Sequence, residues 1–179
     1  MTRLGLVAVL ALAPLPALAA SASGAASATV VSPIAVRQIS DLDFGVIAAN
    51  GAAAGTVTIP PGGTADYAGG ARDACASPST CAVPHFAQFE VSGEANRAYT
   101  ISAPTTIWVA GQSLGTAASP VLLVDAFTFR SVSRPGEGAA GKLDHAGADR
   151  FDLGATLRVP AATPPAHFRL SLEVVVTYG

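Results

Sequence analysis

Three histidines, His85, His145 and His167, are the side chains best suited to moving a proton near neutral pH, and each stands alone in the sequence. The stretch "LDHAGAD" sets Asp144 and Asp149 around His145 with no nucleophile beside them. It reads as a solvated turn and not as a catalytic relay. No two histidines have metal-ligand spacing, and neither a metal nor another cofactor is expected. Asp41 and Asp43 are two residues apart, which on a strand places both carboxylates on one face, as the acid pair of a glycosidase requires. Leu42 and Phe44 claim the opposite face for a core, so the aspartates read as the wet side of that strand. "DFG" at residues 43–45 would hold a metal in a kinase, but the glycine-rich phosphate loop and its partner lysine are missing. The glycine doublets beginning at Gly62 and Gly69 follow no strand-to-helix unit and read as turns. Trp108, Tyr67 and Tyr99 have rings that could stack on a sugar, although core packing is the expected use of Trp108. With no nucleophile, base and orienting group within reach of one another, catalytic residues are expected to be none, and the protein not to be an enzyme.

Cys75 and Cys81, in "CASPSTC", cannot fill a tetrahedral metal shell by themselves. A pair this close reads as a structural disulfide closing a short loop, worth about 2.4 kcal/mol by loop entropy. Such a bond needs an oxidising compartment, and the N-terminus agrees. Met1 to Ala19 carries one early cation, Arg3, then an apolar run broken by Pro14 and Pro16 and ending in "ALA". This has the layout of a cleaved signal peptide, too short and too kinked to span a bilayer. The expected organisation is a signal peptide over 1–19, a flexible spacer over 20–27 and one domain over 28–179. The protein would be exported to the periplasm, the outer cell surface or the medium, with no integral membrane segment after cleavage. Charged residues make up only 12% of the chain, the net charge is −2, and Lys142 is the sole lysine. A nucleic-acid partner is therefore excluded for want of a basic footprint.

The elements that must position these side chains alternate with a period of two. "ATVVSPIAVRQ" puts Ala28, Val30, Ile34 and Val36 on one parity, and Pro33 makes it an edge strand. "SDLDFGVIAA" faces Leu42, Phe44 and Val46 one way, and "GTVTIPPGG" is a short strand stopped by prolines and glycines. Residues 66–84 show no periodicity and read as a surface loop. "FAQFEVSG" follows, then "GEANRA" as a hairpin connection into "YTISAP", where Tyr99 and Ile101 point inward. "TTIWVAG" and "VLLVDAFTFRSV" come next, the latter with Phe127 and Phe129 on one face. A loop, "RPGEGAAGKLDHAGAD", precedes "RFDLGATLRVP", which alternates from Phe151 to Val159. The last stretch, "FRLSLEVVVTYG", alternates from Phe168 to Tyr178 with Val175 as the only break. No segment after the leader has helical spacing with a capping box. About eight or nine short strands imply an all-β, Ig-like antiparallel sandwich.

Taken together, "ATVVSPIAV", "SDLDFGVIAA", "FEVSGEANRAYTIS", "GATLRVPA" and the closing alternation resemble the secreted bacterial family called domain of unknown function 4402, over nearly all of the chain after the leader. That family is similar to pilin-like subunits of chaperone–usher fibres, whose "L-x-FG" strand and penultimate tyrosine match Leu42, Phe44, Gly45 and Tyr178. The chain differs from pilins in having Ala166 where they carry a glycine ahead of the last strand, and in a cysteine pair that clips one loop instead of joining two strands. The resemblance implies a sandwich that pairs strands with copies of itself or with related subunits. "ATVVSPIAV" has the parity of a donated strand; folded back, it would complete its own sheet. The expected function is a non-enzymatic structural subunit, fimbria-like or adhesive. The alternative is a monomeric module that binds a glycan or another surface ligand through the loops over 66–84 and 134–150.

Overall fold

Residues 148–159 set the frame of the molecule, because their alternation buries Phe151, Leu153, Ala155, Leu157 and Val159 on one face of a single long strand. The computed structural model describes residues 27–75, 81–115 and 118–179. The expected signal peptide, residues 1–19, and most of the spacer lie outside the described residues. The chain divides into two units, 1–30 and 31–179, and every strand among the described residues belongs to the second.

These strands, in chain order, are β1 (Ala35–Ser40), β2 (Ile47–Ala49), β3 (Gly55–Ile59), β4 (Asp66–Gly69), β5 (Ala71–Asp73), β6 (Ala87–Ser92), β7 (Ala98–Ser102), β8 (Thr106–Ser113), β9 (Val121–Ser131), β10 (Ala140–Lys142), β11 (Ala148–Val159), β12 (Ala166–Phe168) and β13 (Val175–Tyr178). All their pairings are antiparallel, and the described residues contain no helix. The all-β antiparallel class expected from the sequence is therefore the observed one. The strands are more numerous than expected because several are only three or four residues long.

The large sheet runs β1-β6-β11-β9-β8-β12, with β3 paired to the far half of β11 and β4 paired to β3. Two smaller sheets, β10-β7-β13 and β2-β5, lie over its inner face. One core cluster joins Phe89, Val91, Phe151 and Leu153 of the large sheet to Tyr99 and Ile101 of β7. The other joins Val57, Val109, Val124 and Leu157 to Ala71 of β5. Phe89 and Phe151 stack with ring centroids 5.0 Å apart, and Phe129 meets Phe151 edge-on at 6.4 Å. Each such buried aliphatic or aromatic side chain contributes about 1.5–3 kcal/mol.

β9 reconciles two parities. Leu122 and Val124 point inward, and so do Phe127, Phe129 and Ser131. The shift occurs at Ala126, whose φ of 51° inserts one extra residue opposite Gly154–Thr156 of β11. This is a β-bulge, which keeps the hydrophobic side chains on one face across a break in register.

Several sequence expectations are corrected. Residues 28–34 are not in a strand; β1 starts after Pro33 and Ile34 and pairs with β6 of the same chain. Leu42 and Phe44 pack toward the core, but their segment makes only an isolated bridge between Asp43 and His85, and Val46 is exposed. Residues 66–84 contain β4 and β5, and the loop after Arg134 contains β10. "GEANRA" is not a hairpin turn: β6 pairs with β1 and β11, so this connection carries the chain into the other layer.

Candidate functional site

The closing segment obeys its alternation in burial but not in pairing. From 166 to 178 every even residue is half-buried and every odd residue is exposed. Phe168 and Leu170 pack on one core cluster, and Leu172, Val174, Val176 and Tyr178 pack on the other. β12 bonds to β8 of the large sheet while β13 bonds to β7 of the small one, so the segment changes layer between them. Across that crossing, residues 169–174 have no ladder partner among the described residues. The expected eleven-residue paired strand is thus two short ones joined by an extended stretch with an open edge. A hollow of about 270 Å³, lined by Ser102, Ala103, Pro104, Glu173 and Val175, lies beside it. An extended backbone with unused N–H and C=O groups, over half-buried apolar side chains, can accept a strand from another chain.

The ends of the fold meet at Tyr178. Its hydroxyl donates to the Ser32 carbonyl at 2.7 Å and accepts from the Glu94 N–H at 2.6 Å, while the Arg97 guanidinium lies 4.8 Å from its ring centre. A Cβ on Gly93 would collide with that hydroxyl, so a glycine is needed there. Next to this clasp, at the border of the large sheet, β1 pairs only with β6 among the described residues, with Val36 and Ile39 exposed. Arg37 on this edge donates to Glu90 at 2.5 Å and holds that carboxyl below its ordinary range.

The residues singled out for chemistry are dispersed. His85 lies in the bridge with Asp43, its Nε2 3.8 Å from the Asp41 carboxylate. His145 is exposed in the turn before β11, and His167 is exposed on β12. Asp144 accepts the N–H groups of Ala148 and Ala146 at 2.9 and 2.8 Å, which hold its carboxyl below the usual range and make it a turn acceptor. Asp149 turns away from His145: it accepts the Tyr99 hydroxyl at 2.8 Å and also the hydroxyl of Ser133. Burial first, and then this carboxylate, push the Tyr99 phenol well above its ordinary value. Asp43 accepts the Gly45 N–H at 2.7 Å, and Gly45 has a φ of +72° with Pro84 against its Cα. "DFG" is therefore a turn whose glycine is required by backbone geometry. No group of three His, Cys, Asp or Glu residues among the described ones could hold a metal.

Cys75 and Cys81 form the expected disulfide, with Cα atoms 5.9 Å apart; residues 76–80 between them lie outside the described residues. Tyr67 packs against a core cluster, its hydroxyl buried without a hydrogen-bond partner among the described residues. Trp108 corrects the core-packing expectation, being 70% exposed. Ile107 and Val109 on either side take the inward parity and send the indole out. That signal was present in "TTIWVAG", where two β-branched residues flank the tryptophan.

Among curated proteins and solved structures, none matches this chain. The family described as domain of unknown function DUF4402 matches residues 34–178, a span from just before β1 to the end of β13. The chain belongs to the DUF4402 family.

Proposed function

We propose that this protein is a non-enzymatic, exported structural subunit of the cell surface, fimbria-like or adhesive, that joins copies of itself or related subunits by strand pairing. The reading is carried by residues 169–174, an extended stretch with apolar side chains seated on both cores and a backbone edge that no strand among the described residues covers. Uncovered backbone edges recruit other chains. The occupant is the segment of a neighbouring copy ahead of the Ser32–Tyr178 clasp, residues 28–31, which lies outside the strands of its own chain.

Sedimentation and denaturing electrophoresis without boiling test this on the mature chain and on a form lacking residues 20–31, which leaves β1 whole. The intact chain is expected to form concentration-dependent oligomers that survive mild detergent, and the shortened chain to be monomeric with an unchanged melting temperature. An intact chain that stays monomeric at every concentration would overturn the reading.

A further inference from the structure

The outward face of the large sheet carries a row of side chains that packing does not explain. Strand register sets Trp108 opposite Leu123, Leu123 opposite Arg158, Arg158 opposite Thr56, and Thr56 opposite Ala68. Their strand neighbours Val109, Val124, Leu157 and Val57 are buried, which fixes all five on the outer side. The row crosses five strands about 4.8 Å apart and so extends about 19 Å at right angles to them. At one end stands the indole, 70% exposed. In the middle, Arg158 Nε donates to Asp125 Oδ2 at 2.5 Å, which holds the guanidinium at the surface. At the other end is a hollow of about 340 Å³, bordered by Gly55, Thr56, Ala68, Gly69 and Arg158.

We propose that this row binds a neutral oligosaccharide. The C–H face of a pyranose, with its partial positive hydrogens, matches the negative face of an indole. Beyond the indole, the guanidinium N–H groups not engaged by Asp125 and the Thr56 hydroxyl are placed to bond sugar hydroxyls. Small residues at the far end leave room for a further ring. The Arg158–Asp125 pair is neutral as a unit, which selects against a phosphorylated or strongly acidic ligand. A protein partner fits less well: the apolar part of the row is confined to its Trp108 end, whereas protein interfaces bury a broad apolar centre. This site is separate from the open edge at 169–174 and stands or falls independently of strand pairing.

Trp108 is the only tryptophan, so indole emission reports on this site alone. The mature chain is titrated with cellohexaose, chitohexaose, maltohexaose and laminarihexaose, by emission and by calorimetry. At least one hexamer is expected to produce a saturable emission change in the millimolar range or below. Trp108→Ala, and Ala68→Glu at the exposed far end, are each expected to weaken the calorimetric affinity at least tenfold while melting like the parent. Three results would overturn the proposal: no response to any of the four sugars, affinity that survives Trp108→Ala, or an emission change caused by protein concentration alone, which would assign the face to a second copy of the chain.

Discussion

Tyr99 is 1% exposed, packs over Gly141 and donates to Asp149, so its phenol is held neutral by burial and by the carboxylate beside it. A raised folded-state value means that this stabilisation is complete below pH 10 and is lost as pH climbs above it. There the unfolded chain releases the proton and the folded chain keeps it. The slope is about 1.4 kcal/mol per pH unit for one such group. Tyr99→Phe is expected to cost about 1 kcal/mol at pH 7 through the lost hydrogen bond. It should also flatten the decline above pH 10 without abolishing it, since the Tyr67 phenol is raised as well, by burial and then by Asp73. Urea midpoints collected from pH 7 to 11 on both proteins check this, and identical alkaline slopes would remove Tyr99 from the account.

At the scale of elements, the bulge at Ala126 decides whether β9 can serve both core clusters. A non-glycine residue at a φ of 51° carries strain, so Ala126→Gly is expected to leave stability unchanged or raise it by up to about 1 kcal/mol. Ala126→Val is expected to lower it by about 1–3 kcal/mol. Chemical denaturation measures both, and a valine variant as stable as the parent would mean that the bulge moves freely. The same strand shows what the sequence makes legible. Phe127 and Phe129 declare a face by themselves, as do Phe151 to Val159 in β11 and Ala87 to Val91 in β6, because a period of two sustained over five or more residues has no helical reading. β4, β5 and β10 are too short to show a period, and nothing local marks Asp43 as the partner of His85. Layer changes are equally hidden: the alternation of 168–178 continues through a crossing at which pairing stops, because side chains follow the core while hydrogen bonds follow the neighbouring strand. Of the candidate sites, the seats of the apolar side chains along the tail were readable from sequence and its open edge was not. For Trp108 the parity was readable, but the habit of burying large aromatics concealed it.

For the molecule as a whole, stability should decline outward from β11, which pairs with β6, β3 and β9 and lies at the middle of both cores. Hydrogen exchange is expected to protect β11 amides to the level of global unfolding, while amides 169–174 exchange near free-peptide rates. Strong protection of 169–174 in a monomer would mean that the edge is already covered. The clasp at Tyr178 has a consequence of its own. Since its hydroxyl grips the Ser32 carbonyl, the unit from 31 to 179 closes on itself like a belt on its buckle. A covalent bridge between the two ends would need little added chain, and the cyclised polypeptide could then be cut open at a remote surface turn while keeping every layer in place.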